Sequence, residues 1–133
     1  KRILIPLDFT TFDSIAINQA LQIGGKDAEY LLVHVVETVA ARYSGTNAGD
    51  SETRSDEEEL KNYELELSKN SYKCKSIVAF GIPATAIANT AKQETADLIV
   101  MAAHGHKGFK DIWKGSTLDS LRHKVQIPVM IAR

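Results

Sequence analysis

Residues 3–8 read Ile-Leu-Ile-Pro-Leu-Asp, and this stretch decides how the rest of the chain can fold. Five successive apolar residues without polar alternation are typical of a strand that is buried on both faces of a parallel sheet. Pro6 is expected to mark the end of the strand, because proline cannot donate a hydrogen bond to a neighbouring strand. Parallel strands need a crossover between them, so helices should follow.

Four further strand-sized apolar runs follow, and helix-sized segments lie between them. Gly24 and Gly25 supply a stop for the first helix, and Pro83 fits the first position of the third. Right-handed crossovers between such strands predict an α/β fold, a three-layer open sandwich with helices on both faces of a five-stranded parallel sheet. The strands are predicted at residues 3–7, 30–36, 75–80, 97–101 and 128–132, and the last helix at residues 116–124.

Two capping patterns predict where the first two helices begin. Thr10, followed three residues later by Asp13, predicts the start of the first helix, and Ser55 followed by Glu58 predicts the start of the second. The intervening residues 37–55 are polar, contain glycine, serine and aspartate, and show no periodicity, so we predict a mobile surface loop there.

Length and composition limit the functions open to the chain. Its 133 residues suffice for a single domain with one core, which we take to be residues 1–133. With 44% apolar residues, 25% charged residues and a net charge of −1, it has no general attraction to nucleic acid or to anionic membranes. No apolar run approaches the roughly 20 residues of a membrane span. The sequence lacks an initiator Met, so a longer parent chain stays open.

Cys74 is the single cysteine of the chain. Neither an intrachain disulfide nor a two-cysteine redox or zinc motif can form, so a reducing, cytoplasmic location is expected.

The stretch after the fourth strand has the parts of an anion site. Residues 101–117 read Met-Ala-Ala-His-Gly-His-Lys-Gly-Phe-Lys-Asp-Ile-Trp-Lys-Gly-Ser-Thr, and ligands of open parallel sheets bind beyond the carboxyl ends of the strands. Gly105 and Gly115 would let the backbone approach phosphate oxygens, while Ser116 and Thr117 add hydroxyl donors near a helix N-terminus. A structural interpretation is equally open, in which the glycines turn the chain and Ser116 caps the helix.

The order of these landmarks resembles the universal stress protein family. Pro6-Leu7-Asp8 ends the first strand as in that family, and Gly105 and Gly115-Ser116 keep the spacing of its phosphate motif, Gly-x-x-Gly-x9-Gly-Ser/Thr. Residues 32–36, 81–83 and 127–129 are similar to the family as well. One position departs from the motif, because its first glycine is Ala102 here, and the extra methyl could crowd a phosphate or the ribose.

This resemblance implies a Rossmann-like, adenine nucleotide alpha hydrolase-like fold with strand order 3-2-1-4-5. It also implies an ATP-binding domain, with Mg²⁺ as a further candidate ligand, that acts as a nucleotide-dependent module in stress response. Asp8 would accept hydrogen bonds from the adenine edge; its alternative role is a loop carboxylate that caps the first helix. The implied nucleotide-binding residues are Pro6, Leu7, Asp8, Val35, Met101, Ala102, Gly105, Gly115, Ser116 and Thr117.

A homodimer through the last strand, residues 128–132, is implied by the resemblance. An apolar strand at a sheet edge favours the same pairing independently, since little charge discourages a partner strand. Met130 is expected at or near the interface.

Catalytic machinery is not recognisable in the sequence. The Walker motif and the Gly-x-Gly-x-x-Gly fingerprint are absent, and no nucleophile with an adjacent base stands out. His104 and His106 lack further metal ligands nearby, and His34 is expected to be a satisfied residue at a strand end. We expect no enzyme activity beyond slow, incidental ATP hydrolysis. The alternative function is a nucleotide-free dimeric interaction or regulatory domain of the same family, possibly attached to a larger protein such as a transporter.

Overall fold

The computed structural model describes the backbone of residues 1–37, 46–102 and 115–133, and their side chains except those of residues 46–54, 115 and 116. Strands and helices alternate along these residues. In chain order they are β1 (Arg2–Leu7), α1 (Asp13–Gly24), β2 (Glu29–Val36), α2 (Thr46–Lys69), β3 (Lys73–Phe80), α3 (Pro83–Gln93), β4 (Leu98–Ala102), α4 (Gly115–Lys124) and β5 (Val129–Ala132).

The five strands form one parallel sheet in the order β3-β2-β1-β4-β5. The predicted α/β class and strand order are therefore confirmed. The predicted end of the first helix and the predicted start of the third are also confirmed. Gly25 follows α1 with a φ of 61°, and Pro83 is the first residue of α3.

Hydrophobic side chains of the sheet divide between its two faces. Ile3 and Ile5 of β1 pack in a cluster with residues of α1 and α2, whereas Leu4 packs in a second cluster with residues of α3 and α4. Because successive residues of a strand point to opposite faces, a strand that is apolar throughout can fill both clusters. Burial of each such side chain contributes about 1.5–3 kcal/mol, which anchors the sheet that positions the site.

The second helix begins earlier than the sequence predicts. The helix α2 starts at Thr46, so Ser55 and Glu58 lie within it, and the predicted capping box and the predicted loop over residues 46–55 are wrong. Residues 46–54 are mostly polar and show no apolar periodicity, so the sequence does not indicate a helix there, and Gly49 within it costs only about 1 kcal/mol. Residues 38–45 of the predicted loop lie outside the described part.

The two edge strands, β3 and β5, differ in whether their outward backbone groups are hydrogen-bonded. At the β3 edge, the Glu64 carboxylate of α2 accepts a hydrogen bond from the Ser76 backbone N–H at 2.8 Å. Burial acts to raise the pKa of Glu64, but the bonds from Ser76 and Lys61 outweigh it and leave this pKa below its ordinary value. At the other edge, β5 pairs with β4, and within the described residues no side chain hydrogen-bonds the backbone of β5.

None of the helices in the described part is long and apolar enough to cross a membrane.

Candidate functional site

The strand order reverses at β1. Strands β2 and β3 lie on one side of β1, and β4 and β5 lie on the other. A reversal of this kind leaves a crevice beyond the carboxyl ends of the two central strands, where ligands of open α/β sheets bind. Here those ends are Leu7 of β1 and Ala102 of β4.

Pro6 opens this crevice. The Asp97 N–H donates to the Arg2 carbonyl at 2.7 Å, so Arg2 faces β4, and alternation along the strand gives Leu4 and Pro6 the same direction. Proline has no N–H, so it cannot continue the ladder to β4. Pairing of β1 with β4 accordingly ends at Leu4, whereas pairing of β1 with β2 continues to Leu7. The prediction that Pro6 marks the end of the strand therefore holds for the pairing with β4 but not for the pairing with β2.

Strand residues of the predicted site come together at this edge of the sheet. By register, Leu7 lies beside His34 of β2, and Val35 follows it. Leu7 and Ala102 belong to the cluster under α1 and α2, and Val35 and Met101 belong to the cluster under α3 and α4. All four side chains are buried, so they are fixed by the core on the two faces of the sheet where the crevice begins.

The residues predicted to hold the phosphates are only partly described. The helix α4 begins at Gly115 and includes Ser116 and Thr117 in its first turn, and Thr117 is half-buried. The side chains at positions 115 and 116 are not described, and Gly105 lies outside the described residues, as do His104 and His106. The first turn of a ten-residue helix carries backbone N–H groups without intrahelical partners.

Asp8 follows β1 and is oriented by its own loop. One of its carboxylate oxygens, Oδ1, accepts hydrogen bonds from the Thr10 hydroxyl at 2.7 Å and the Thr10 N–H at 3.2 Å. The N-cap of α1 is Phe12, which makes no side-chain capping bond. In the described contacts Asp8 binds the loop residue Thr10 rather than the first turn of α1, and the N-cap predicted at Thr10 lies two residues before the observed one.

Asp13 is a site residue that the sequence interpretation missed. It was expected to cap its own helix, but it is the first residue of α1, and its carboxylate points back to the loop. Its oxygens accept hydrogen bonds from the Asp8 N–H at 3.2 Å and the Phe9 N–H at 2.8 Å, and the residue is only 1% exposed. The one feature of the sequence that could have indicated this role is the spacing, since Asp13 is a second carboxylate five residues after Asp8 at the end of the strand.

Burial and neighbouring carboxylates raise the pKa values of two groups at this end of the crevice. Burial, followed by the negative charge of Asp8, raises the pKa of Asp13 to about 7, although the backbone hydrogen bonds act to lower it. Burial, followed by the negative charge of Asp13 and smaller effects of other acids, likewise raises the pKa of Tyr63 to about 12. One proton is thus held near neutral pH at the base of the predicted adenine pocket.

His34 is buried at the strand end as expected, and both of its ring nitrogens have partners. Nδ1 lies 2.9 Å from the Leu7 carbonyl oxygen and Nε2 lies 3.1 Å from Oδ2 of Asp56 on α2. Phe9 stacks on the ring with a centroid distance of 4.1 Å. Because both ring nitrogens have partners, His34 links β1, β2 and α2 and has a structural role.

The buried proton predicts how stability changes with pH. Because the pKa of Asp13 is about 7 in the folded chain against an ordinary 3.8, its stabilisation is complete below pH 3.8 and lost as the pH rises through 7. Wild-type unfolding free energy should fall by up to about 1.4 kcal/mol per pH unit over that window from this group. Urea unfolding at pH 5 and pH 8 should show a smaller fall in Asp13→Asn, and an equal fall in both proteins would contradict this assignment.

Among the described residues, no group of three or more histidine, cysteine, aspartate or glutamate side chains is arranged to hold a metal ion.

Solved structures that share the fold include two with nucleotides in their descriptions. One is a universal stress protein in complex with cAMP, 15% identical with a TM-score of 0.74, covering 100% of this chain and 97% of that one. Another is a family protein from Arabidopsis thaliana with AMP bound, 16% identical with a TM-score of 0.71, covering 99% of this chain and 90% of that one. At such identities the likeness shows the fold alone.

Closer similarity is found in both sequence and structure. Universal stress protein MJ0577 of Methanocaldococcus jannaschii is 28% identical over 153 residues, covering 100% of this chain and 94% of that protein, and its solved structure has a TM-score of 0.84. The structure of UspA from Lactobacillus plantarum is 24% identical with a TM-score of 0.81, covering 100% and 97% of the two chains. The sequence model of the Universal stress protein family matches residues 1–133. The chain therefore belongs to the universal stress protein family.

Proposed function

We propose that this protein binds ATP at the crevice beyond β1 and β4 and acts as a nucleotide-dependent regulatory module of the stress response. The observation that carries the proposal is the break of the β1–β4 ladder at Pro6, which opens the sheet beside Asp8. Neighbours of the same fold that are described with AMP and cAMP support an adenine nucleotide as the ligand. We place the protein in the cytoplasm, because a lone cysteine suits a reducing compartment.

The proposed contacts are those that the resemblance to the family implies. Asp8 accepts hydrogen bonds from the adenine edge, while Pro6, Leu7, Val35 and Met101 line the base and ribose. The remaining predicted residues, Ala102, Gly105, Gly115, Ser116 and Thr117, hold the ribose and the phosphates. A helix N-terminus binds phosphate through free N–H groups and the positive end of its dipole, which is the role proposed for α4.

The proposed activity is binding rather than turnover. A committed hydrolase needs a positioned base or nucleophile within reach of the reacting bond. Of the candidates in the described part of the crevice, His34 is engaged at both nitrogens and Asp13 holds the loop backbone. We therefore propose that ATP hydrolysis, with Mg²⁺ or without it, is at most slow and incidental.

ATP should stabilise the protein more than GTP does. With a Kd of about 1 micromolar, millimolar ATP contributes about 4 kcal/mol to the unfolding free energy, which raises the Tm by roughly 10 °C. The shift with GTP should be smaller by about a third or more, since an acceptor such as Asp8 meets the amino group of adenine but the carbonyl of guanine. Thermal unfolding with each nucleotide measures the difference, and equal shifts would contradict adenine recognition by Asp8.

A second function has one specific observation in its favour. Ala102 stands where the family's phosphate motif has glycine, and it is buried at the end of β4 beside Ala132 of β5. If its methyl blocks a phosphate or the ribose, the domain is a nucleotide-free dimeric interaction module, or a regulatory module attached to a larger protein such as a transporter.

An Ala102→Gly variant separates the two functions. Removing the methyl should tighten ATP binding about threefold to tenfold by relieving crowding, while lost packing and added backbone entropy should lower the unfolding free energy by about 1 kcal/mol. Titration of both proteins with ATP gives the comparison. ATP binding that appears only in the glycine variant would favour the nucleotide-free function for the natural chain.

A further inference from the structure

The loop between β1 and α1 is held in a conformation that needs support. Phe9 has a φ of 62°, in the left-handed region, which costs a residue other than glycine about 1–2 kcal/mol. The Asp13 carboxylate accepts the N–H groups of Phe9 and Asp8, one on each oxygen. Hydrogen bonds to a charged acceptor are stronger than neutral ones, so this carboxylate stabilises the strained turn directly beside Asp8.

A second contact fixes the same turn from the opposite side. The Phe9 ring stacks on His34, which in turn binds the Leu7 carbonyl and Asp56 of α2. The backbone on both sides of Asp8 is thereby tied to α1, β2 and α2. The direction in which the Asp8 carboxylate points is set by this clamp and by Thr10.

The carboxyl groups of Asp8 and Asp13 also influence each other electrostatically, because the negative charge of Asp8 adds to the effect of burial in favouring a proton on Asp13. Asp13 is the more deeply buried of the two residues. A protonated Asp13 keeps only one good acceptor oxygen for the two backbone N–H groups. Protonation therefore weakens the clamp.

We propose that Asp13 is the positioning residue of the nucleotide site: its ionised carboxylate holds the loop in the conformation from which Asp8 binds adenine, and its protonation weakens that hold. This inference rests on the proposed function. ATP and a proton on Asp13 then compete, so ATP binding releases that proton and affinity rises with pH.

The surroundings of Asp13 set the pH range of this competition. Strands β1, β4 and β5, which pack on α1, contribute only apolar side chains to the cluster beneath it. Burial is the main cause that raises the pKa of Asp13 to about 7, and the negative charge of Asp8 adds to it. The titratable groups on this side are Asp8 from the loop, His34 from β2, and Asp56, Glu59, Tyr63 and Glu66 from α2.

Proton-linked calorimetry of the whole chain tests the inference. ATP is titrated at pH 6, 7 and 8 in two buffers of different ionisation enthalpy, with wild type, Asp13→Asn, and Glu58→Gln as a control that removes an exposed acid of α2. We expect wild-type affinity to rise about tenfold from pH 6 to pH 8 beyond any change in Asp13→Asn. At pH 7 wild type should release about half a proton more per ATP than Asp13→Asn, in which the titration of ATP itself is the same. The control should match wild type.

The outcomes separate this inference from the proposed function. ATP binding with the same proton count and the same pH dependence in wild type and Asp13→Asn would overturn the positioning role alone. No ATP binding by wild type at any pH would overturn the proposed function and this inference with it. Should Asp13→Asn fail to fold, carbon-13 NMR of the wild-type Asp13 carboxyl decides, because its pKa must fall when ATP binds, and an unchanged pKa overturns the inference.

Discussion

A Gly115→Val variant is expected to lose ATP binding by at least about a hundredfold while remaining folded. The first turn of α4, which begins at Gly115, offers N–H groups without intrahelical partners, and in the proposed site the phosphates lie against them. A branched side chain at the first residue would occupy the space in which backbone meets phosphate. Losing two charge-assisted hydrogen bonds of about 1.5–3 kcal/mol each corresponds to a hundredfold or more in affinity.

The fold should tolerate this change, because valine costs under about 1 kcal/mol in helix propensity. Ser120→Val is the matched control, since it places the same side chain in α4 beyond its first turn. Titration with ATP, together with circular dichroism, compares the three proteins. Wild-type ATP affinity in a folded Gly115→Val protein would show that the phosphates do not lie at this helix terminus.

An Ile131→Pro variant is expected to convert a wild-type dimer into a monomer. The Ile99 N–H donates to the Pro128 carbonyl at 3.0 Å, so residue 128 faces β4, and alternation along the strand turns Val129 and Ile131 outward. Proline at position 131 removes an outward N–H that a partner strand would use, and it leaves the bonds to β4 in place. Met130→Lys should also give monomers by placing a charge at the proposed interface.

We propose that two copies of the chain pair through β5 rather than β3, because the two edges of the sheet differ. Glu64 occupies the outward N–H of Ser76 on β3, whereas β5 is a short apolar edge without such a cover among the described residues. An uncovered apolar edge invites a partner strand, and two copies of one strand give a two-fold interface. Sedimentation at about 50 micromolar, well above the Kd of a stable dimer, measures the state, with Ile131→Val as the control. A monomeric wild type would refute the dimer, and ATP binding should be retained in the monomeric variants.

Much of the fold could be predicted because the first two strands are apolar almost throughout, with His34 as the exception. Residues 3–7 and 30–36 contribute to both hydrophobic clusters, and a continuous apolar run of that length fits few other structures. Glycine and proline marked helix boundaries where the backbone needs them, at Gly25 and Pro83. The start of α2 could not be predicted, since its first turns are polar and carry no periodic signal.

The candidate site was predicted less completely, for a different physical reason. Pro6 was correctly placed near a strand end, but which neighbouring strand it releases depends on the direction of its missing N–H and therefore on the register of the sheet. Asp13 was assigned to its own helix because a carboxylate near a helix start usually caps it. Its bonds to the Asp8 and Phe9 amides depend on a left-handed turn at Phe9, which a phenylalanine in the sequence does not indicate.

Isothermal titration calorimetry of the wild-type chain with ATP tests the central claim most directly. The account predicts one ATP per chain with a Kd of about 1–10 micromolar, and GTP at least about tenfold weaker, corresponding to a difference of 1.4 kcal/mol or more. Absence of both binding heat and thermal stabilisation at millimolar ATP would contradict it.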